Sequence, residues 1–244
     1  MNKAIIIGAS SGMGAAITNI LLEKGWKVGI AARRVQPLLD IKAKWGDACI
    51  VSQIDVCQED APEKLLQLIE DTGGADLYFH VAGVGKQNTL LDPNIEKHTV
   101  ATNGLGFTNM IDAAFNYMAQ HNGGHIAVIS SIAGTKGLGA APSYSATKAF
   151  QNTYIQALEQ LSQMRKLNIT FTDIRPGFVD TPLIEGSNFP MKMNVNKVAT
   201  DIVDAVLAKK HVKIIDWRYR ILVFFWRLIP NCVWRRLPIG NKKI

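Results

Sequence analysis

The sequence predicts an α/β domain in which a doubly wound parallel sheet carries helices on both faces. Short apolar runs rich in β-branched residues alternate with longer amphipathic stretches, which is typical of successive βαβ units. Two of these runs, residues 4–7 and 126–129, are apolar at every position, as expected for strands covered on both faces. A glycine-rich turn follows the first run. The chain has 244 residues, 48% of them hydrophobic, which is enough to bury one substantial core.

Six strands are predicted, with helical patterns between them. They are Lys3–Ile7, Lys27–Ala31, Cys49–Ile54, Asp76–Val81, His125–Ile129 and Ile169–Asp173. The helix predicted over residues 63–71 has signals at both ends, because Pro62 suits a first turn and Gly73-Gly74 stops the helix. We divide the chain into a body, residues 1–208, and residues 209–244, which hold the last strand and a basic aromatic C-terminal extension of the same domain.

The first βα turn reads Gly8-Ala9-Ser10-Ser11-Gly12-Met13-Gly14 and leads into a helical pattern. Gly8 allows the tight turn, Gly12 lets the backbone approach a pyrophosphate, and Gly14 lets the helix pack closely on the strand. The amides at a helix N-terminus point at an anion, and Ser10 and Ser11 add hydroxyl donors. This pattern predicts a Rossmann-like dinucleotide site. A turn that only connects strand and helix is the alternative.

The end of the second strand, Ala31-Ala32-Arg33-Arg34, bears on the choice of cofactor. An acidic residue there usually accepts hydrogen bonds from the adenosine ribose hydroxyls. Here no carboxylate repels a 2′-phosphate, and a guanidinium can pair with it bidentately. The sequence therefore favours NADP over NAD, with Arg33 the better candidate and Arg34 beside it. The alternative for both arginines is a solvated helix start.

A serine, a tyrosine and a lysine follow at a characteristic spacing. Ser130-Ser131 ends a predicted strand, and Tyr144 and Lys148, four positions apart, open a helix and project from one face of it. With the glycine-rich turn, Asn103 in a helix, and Arg175-Pro176-Gly177 after the sixth strand, this order closely resembles the short-chain dehydrogenase/reductase family. The resemblance covers residues 1–208, which it identifies as an NADP-binding catalytic domain.

The resemblance implies roles for four residues in hydride transfer. Tyr144 would be the general acid in reduction and the base in oxidation, with the Lys148 ammonium stabilising its phenolate and binding the nicotinamide ribose. Ser131 would hold the reacting oxygen, and Asn103 would complete a water-linked proton relay. The expected function is an oxidoreductase acting between NADP(H) and a carbonyl or alcohol.

Further positions match cofactor contacts of the family. Asp55 and Val56 match the adenine contact, although Asp55 can equally be a turn residue, and Thr181 matches a position near the nicotinamide carboxamide. The complete predicted cofactor set is Gly8, Ser10, Ser11, Gly12, Met13, Gly14, Arg33, Arg34, Asp55, Val56, Ala82, Gly83, Tyr144, Lys148, Pro176, Gly177, Val179 and Thr181.

Two positions depart from the family pattern. Val81 stands where the family has the asparagine of Asn-Ala-Gly, so this loop has lost an amide. Ser11 stands where many NADP-preferring members carry a basic residue, which weakens the NADP preference without reversing it. Val81 is also the support for an alternative function, a cofactor-binding regulatory or scaffold protein with little turnover.

The segment after Pro182 is expected to select the substrate. Residues 183–196 include Phe189, Pro190, Met191 and Met193, which suggest a mobile apolar lid and hence an apolar carbonyl or alcohol substrate. The resemblance also implies a homo-oligomer, a dimer or tetramer, paired through the helices that bear Asn103 and Tyr144.

The positive charge of the chain belongs to its tail. The net charge is +7, but residues 1–208 hold 17 basic and 19 acidic residues, whereas residues 209–244 hold 10 basic and 1 acidic. A body with this balance does not predict nucleic-acid binding. The histidines show no metal-ligand spacing, so no metal is predicted, and the three cysteines are predicted to be buried thiols of a reducing compartment.

Residues 217–239 interleave aromatic and aliphatic residues with arginines. Their longest apolar run, residues 221–226, is far shorter than the ~20 residues that span a bilayer. Attachment to a membrane surface is one interpretation; packing on a partner subunit or over the protein's own cleft is the other. The apolar run at residues 4–7 is too short for a signal peptide, so we expect a cytoplasmic protein, with any membrane attachment peripheral and at the inner face.

Overall fold

The computed structural model describes residues 1–184, 186 and 188–239 and arranges seven strands of this part of the chain into one parallel sheet. The strands are β1 (Lys3–Ile7), β2 (Lys27–Ala32), β3 (Cys49–Gln53), β4 (Leu77–His80), β5 (Gly124–Ile129), β6 (Ile169–Arg175) and β7 (Val212–Ile214). Their order in the sheet is β3-β2-β1-β4-β5-β6-β7. The chain therefore reverses direction across the sheet between β1 and β4, and the predicted doubly wound fold is confirmed.

Helices cover both faces of the sheet. They are α1 (Gly12–Glu23), α2 (Gln36–Trp45), α3 (Ala61–Thr72), α4 (Pro93–Val100), α5 (Phe107–Gln120), α6 (Pro142–Met164), α7 (Val195–Leu207), α8 (Trp217–Leu228) and α9 (Asn231–Trp234). One buried cluster takes side chains from α1, α2, α7 and α8, and the other takes them from α3, α5 and α6.

The strand β1 explains why the central runs are apolar throughout. Its side chains alternate between the two clusters, with Ala4 and Ile6 in one and Ile5 and Ile7 in the other. All four are buried, because neither face of the sheet meets water.

The predicted ends of α3 agree closely with the observed ones. The helix extends over Ala61–Thr72, with Pro62 in its first turn, and it ends where Gly73 takes a φ of +85°. The Gly73 amide closes the last turn on the Glu70 carbonyl at 2.8 Å. A left-handed residue is a common helix stop, and glycine adopts that conformation without steric cost.

Strand ends differ from the prediction by one or two residues. The prediction carried β4 through Val81, but the amides of Val81 and Ala82 both donate to the Ile7 carbonyl at 2.8 Å, so the regular ladder ends at His80. The strand β6 continues to Arg175, two residues beyond the prediction, because Arg175 pairs with Ile214 of the edge strand β7.

Within the described residues, α8 presents apolar side chains in two directions. Tyr219 and Val223 are buried against the core. A second set on the same helix is exposed and lies along the opposite side, namely Trp217, Ile221, Phe224, Phe225 and Leu228. Among the described helices none is long and apolar enough to cross a membrane.

The prediction that all three cysteines are buried is wrong for two of them. Cys49 begins β3 and is buried, whereas Cys57 and Cys232 are exposed. Cys57 lies in the turn after β3, and Cys232 lies on the short surface helix α9, so neither position points into the core.

Candidate active site

The glycine-rich turn lies between β1 and α1, at the carboxyl edge of the sheet. Gly8 has a φ of +97°, and a Cβ there would lie 2.5 Å from the Ala82 amide nitrogen. A Cβ on Gly14 would lie 2.1 Å from the Gly8 carbonyl oxygen. Both positions therefore require glycine, and the turn packs directly on the loop that contains Ala82.

The start of α1 is open to an anion. Its N-cap Ser11 makes no capping hydrogen bond, and the first turn holds no acidic residue. Amides at this end carry a partial positive charge, and the Ser10 and Ser11 hydroxyls lie nearby. These residues fit the phosphates of a dinucleotide, with Met13 in the first turn of the helix.

The two arginines after β2 are exposed but have different contacts. Arg34 Nη2 donates to Ser10 Oγ at 3.3 Å and to Ser11 Oγ at 3.2 Å. Arg33 contributes its backbone carbonyl, which accepts from Gln53 Nε2 at 2.9 Å. The guanidinium beside the glycine-rich turn is thus that of Arg34, although the sequence had favoured Arg33.

Asp55 and Val56 follow β3 at the same edge of the sheet. The Asp55 carboxylate accepts from the Cys57 amide at 3.1 Å, which is the turn contact that the sequence left open as an alternative. Val56 is buried, and a Cβ on Gly106 would lie 2.6 Å from its carbonyl oxygen. Val56 therefore packs against the segment that carries Asn103.

Asn103 holds the loop that lacks the family asparagine. Its Oδ1 accepts from the Val84 amide at 2.9 Å, and its Nδ2 donates to the Val84 carbonyl at 2.7 Å. A Cβ on Gly83 would lie 3.3 Å from Asn103 Oδ1 and 3.6 Å from Lys148 Nζ. The Asn103 carboxamide thus fixes the loop after β4, although Val81 offers no side-chain amide there.

Asn103 lies in a π-helical segment, Ala101–Gly106, between α4 and α5. The Phe107 amide bonds to the carbonyls of Thr102 and Gly104, and the Asn103 carbonyl accepts from Gln151 Nε2 at 2.9 Å. Such local widening of a helix is frequent at functional sites, and here it leaves the Asn103 carbonyl free to bond to Gln151.

Ser131 and Tyr144 are brought together by the loop after β5 and the first turn of α6. Ser131 is buried, and its Oγ accepts from the Ala133 amide at 3.1 Å. Burial raises the pKa of Tyr144, while a hydrogen bond with Ser131 lowers it, and the balance is upward. Tyr144 is therefore protonated at neutral pH, as a general acid must be.

Lys148 is buried one turn after Tyr144. Its Nζ donates to the Ile129 carbonyl and to Gln151 Oε1, each at 2.9 Å, and lies 5.9 Å from the centre of the Tyr144 ring. Burial lowers the pKa of Lys148 to about 8, and the Asp173 carboxylate opposes that shift. The ammonium is thus close to the tyrosine whose charge it would balance.

Two other buried titratable groups surround Lys148. Asp173 on β6 accepts from Arg175 Nε at 2.7 Å and also bonds with Ser130. His80, at the end of β4, has its pKa lowered to about 3, first by burial and then by the Lys148 charge. Its Nδ1 lies 3.0 Å from the Tyr78 hydroxyl, and its Nε2 has no partner among the described residues. His80 is therefore neutral.

Sequence reasoning missed Gln151, Asp173 and His80 as parts of this site. The usable signal was a polar residue on an otherwise buried face, since Gln151 follows Lys148 by three positions on α6 and Asp173 interrupts an apolar strand. The Asn103 carbonyl that pairs with Gln151 and the Ser130 hydroxyl that pairs with Asp173 come from other segments, so these two pairings could not be predicted from local spacing.

The residues after β6 form one wall of the cleft. Thr181 reaches the glycine-rich turn, where a Cβ on Gly12 would lie 3.1 Å from its Cγ2. The Phe178 and Phe189 rings stack at 4.2 Å, and Val179 bridges to Met193. The predicted lid, residues 183–196, overlaps the start of α7 at Val195, and its residues 185 and 187 lie outside the described part of the chain.

The helix α8 supports this wall. The Tyr219 hydroxyl accepts from the Phe178 amide at 3.2 Å and donates to the carbonyls of Pro190 and Met191, at 3.3 and 3.2 Å. A Cβ on Gly177 would lie 2.3 Å from the Tyr219 ring, which explains the glycine after Pro176.

The C-terminal segment also holds a second wall of the candidate site, the loop that joins Ser131 to Tyr144. Lys136 Nζ donates to the Ile229 carbonyl at 2.9 Å and to Asn231 Oδ1 at 2.8 Å. Trp234 Nε1 donates to the Gly137 carbonyl at 2.7 Å.

No group of three or more His, Cys, Asp or Glu residues that could hold a metal ion occurs within the described residues.

A family model and two relatives named as oxidoreductases match most of the chain. The model of the family described as short chain dehydrogenase matches residues 2–192. An uncharacterised oxidoreductase of Myxococcus xanthus is 34% identical over 194 residues, covering 77% of this chain and 76% of that protein. One of Staphylococcus aureus is 30% identical over 217 residues, covering 86% and 93%.

Solved structures share the fold. A short chain dehydrogenase from Burkholderia cenocepacia in complex with NADP has a TM-score of 0.84 at 21% identity, covering 98% of both chains. The closed form of serine dehydrogenase complexed with NADP+ has a TM-score of 0.77 at 23% identity, covering 87% of this chain and 94% of the other.

Proposed function

The chain belongs to the short-chain dehydrogenase family, and on this premise we propose that it transfers a hydride between NADP(H) and a carbonyl or alcohol, with Tyr144 as general acid or base. The observation that carries the proposal is the meeting of Ser131, Tyr144 and Lys148 at the carboxyl edge of the sheet, next to the glycine-rich turn. Each of these residues is common on its own. Together they can hold the reacting oxygen, transfer a proton to it and stabilise the resulting phenolate.

When bound, the nicotinamide supplies or accepts the hydride. The protein supplies the proton and the geometry. Ser131 donates a hydrogen bond to the reacting oxygen, and Tyr144 gives its proton to that oxygen during reduction or takes it back during oxidation. The Lys148 ammonium, 5.9 Å from the Tyr144 ring centre, stabilises the phenolate.

The preference for NADP over NAD is part of the proposal. It is supported by the lack of a carboxylate after β2 and by the Arg34 guanidinium beside Ser10 and Ser11. A guanidinium in this place can bind a 2′-phosphate through charge-assisted hydrogen bonds, which are stronger than a hydrogen bond to the neutral 2′-hydroxyl of NAD.

The substrate class is an apolar carbonyl or alcohol compound. The wall after β6 is supported by the stacked rings of Phe178 and Phe189, with Met191 partly exposed beside them. Aromatic and thioether groups of this kind favour apolar ligands and adapt to their shape.

A homo-oligomer is proposed through the surface of α4, the π-helical segment and α6. Large apolar side chains are exposed there, and they are Val100, Leu105, Phe150, Leu161 and Met164. Exposed apolar groups that cluster on one surface are typical of protein interfaces.

Peripheral attachment to an anionic membrane is proposed through the exposed side of α8. The exposed apolar residues at positions 217, 221, 224, 225 and 228 follow helical spacing and share one side of the helix. Arg220 and Arg227 are also exposed on α8, and Arg235 and Arg236 follow it. An apolar stripe beside guanidinium groups suits the boundary between acyl chains and anionic headgroups.

The reaction is tested by following nicotinamide absorbance with NADPH against a panel of apolar ketones and aldehydes, and with NADP+ against the matching alcohols. We expect turnover in the wild type and a loss of at least about 100-fold in kcat for Tyr144→Phe, because the variant lacks the transferable proton. Binding of NADPH, measured by calorimetry, should persist in Tyr144→Phe because the aromatic ring is retained and only the hydroxyl is lost.

Tyr154→Phe is the matched control, since it removes a hydroxyl that bonds to Asp112 of α5, ten residues after Tyr144 on α6. Undiminished turnover in Tyr144→Phe would contradict the assigned role. NADPH binding without turnover across the whole panel would support the alternative, a cofactor-binding regulatory protein, for which Val81 is the specific observation.

A further inference from the structure

Gln151 is fully buried and forms hydrogen bonds through both ends of its carboxamide inside the candidate active site. Its Oε1 accepts from Lys148 Nζ at 2.9 Å, and its Nε2 donates to the Asn103 carbonyl at 2.9 Å. Gln151 follows Lys148 by three positions on α6, so the two side chains share a face of the helix. One amide thus joins the ammonium to the segment that carries Asn103.

The Asn103 carbonyl is available because the local helix is π-helical. In a regular α-helix the Phe107 amide would bond to it, but here that amide bonds to Thr102 and Gly104. Gln151 needs one acceptor for Lys148 and one donor for this carbonyl, and a carboxamide supplies both. An ionised carboxylate of the same size has no donor, and a thioether of similar length has neither strong group.

We propose that Gln151 is a positioning residue for the reaction: its carboxamide fixes Lys148 against the Asn103 carbonyl and directs the remaining N–H of the ammonium to the cofactor. An ammonium has three donors, and here the Ile129 carbonyl and Gln151 take two of them. The proposal rests on the proposed function, in which Lys148 binds the nicotinamide ribose.

The contribution of Gln151 can be measured as a change in the pKa of Lys148. The titratable groups that face the ammonium are His80 from β4, Asp173 from β6 and Tyr144 from α6. His80 is neutral, so Asp173 is the anionic neighbour and Gln151 the neutral acceptor. Removing that acceptor disfavours the charged lysine, whereas a carboxylate in its place favours it.

The test compares Gln151→Met and Gln151→Glu with Gln156→Met, a control on the exposed side of the same helix. The ionisation of Lys148 is followed by NMR of cofactor-free protein labelled with carbon-13 lysine, and Lys148→Arg assigns its signal. We expect the Lys148 pKa to fall in Gln151→Met, to rise in Gln151→Glu, and to stay unchanged in the control. NADPH affinity, from fluorescence titration, should weaken at least about tenfold in Gln151→Met, the effect of losing a hydrogen bond to a charged group.

A Lys148 pKa and an NADPH affinity that match the wild type in both variants, with only the melting temperature lowered, would show that Gln151 merely fills space and would overturn the proposal. If Gln151→Met does not fold, the direction of the shift in Gln151→Glu decides. The NMR titration needs neither substrate nor cofactor, so a wild type without turnover would refute the proposed function and leave this measurement intact.

Discussion

Arg33 and Arg34 are adjacent in sequence, yet only Arg34 directs its guanidinium at the glycine-rich turn. The difference arises because consecutive residues leaving a strand point in different directions, and Arg33 contributes its backbone carbonyl to Gln53 instead. Whichever guanidinium lies beside Ser10 and Ser11 is the one that can reach a 2′-phosphate bound there.

We therefore expect Arg34→Ser to weaken NADPH binding more than Arg33→Ser does. The lost charge-assisted contact corresponds to about 1.5–3 kcal/mol, or at least about tenfold in Kd, while NADH binding should change little. Fluorescence titration of both variants with both cofactors measures this. Equal losses in the two variants, or a larger loss in Arg33→Ser, would assign the phosphate contact differently.

Which single residues could be identified from the sequence depends on where their partners lie. Tyr144 and Lys148 share a helix, so their spacing alone places them on one face. Gln151 bonds to a carbonyl in a different helix, and Asp173 bonds to Ser130, which follows the neighbouring strand β5. Those pairings depend on tertiary packing, which residue spacing does not encode.

At the scale of elements, the strands that cross the whole core were the easiest to predict and their ends the hardest. Runs such as Ala4–Ile7 are apolar because helices cover both faces, so composition alone identifies them. The end of β4 instead depends on two amides that share the Ile7 carbonyl, and the short β7 depends on pairing with β6. Neither contact leaves a local pattern in the sequence.

The helix α8 supports the wall after β6 through the Tyr219 hydroxyl. This hydroxyl can be removed without emptying the core. Tyr219→Phe keeps the ring against Gly177 but loses the contacts with Phe178, Pro190 and Met191. We expect faster amide hydrogen exchange in residues 178–193, measured by mass spectrometry, and a loss of about 1 kcal/mol in unfolding free energy.

Substrate KM should rise in Tyr219→Phe by more than the Kd for NADPH, because this hydroxyl bonds to Phe178, Pro190 and Met191 and not to the glycine-rich turn. Tyr154→Phe again serves as the control, as its hydroxyl bonds to Asp112, away from this wall. Exchange in residues 178–193 that matches the wild type would mean that Tyr219 does not restrain the segment.

At the scale of the whole molecule, positive charge and exposed apolar area coincide at one end of the chain. Residues 209–244 hold 10 basic residues and 1 acidic residue, and the exposed side of α8 belongs to this region. Attraction of basic residues to an anionic surface contributes about 1 kcal/mol each when they lie close to it, and salt weakens this attraction.

We expect the full-length protein to float with vesicles of phosphatidylglycerol and phosphatidylcholine at low salt, less at high salt, and not with phosphatidylcholine alone. Phe224→Ser combined with Phe225→Ser should abolish flotation, because both rings belong to the exposed stripe. Leu66→Ser, at an exposed apolar position of α3, is the control. If the double variant instead changes the mass of the particle in light scattering, the stripe is an interface between copies and the membrane proposal is wrong.

Both walls are attached to α8 and α9. The residues proposed for the reaction and the residues that anchor the walls therefore lie in different parts of the chain. Every residue assigned to the cofactor or to proton transfer lies before residue 182, whereas the anchors of the two walls, Tyr219, Asn231 and Trp234, come after residue 216. During synthesis the residues proposed for cofactor binding and proton transfer leave the ribosome before the residues that anchor the two walls. If the proposed roles hold, we expect substitutions in residues 217–234 to alter which compound is accepted more than they alter the hydride transfer, so the two properties could evolve at different rates.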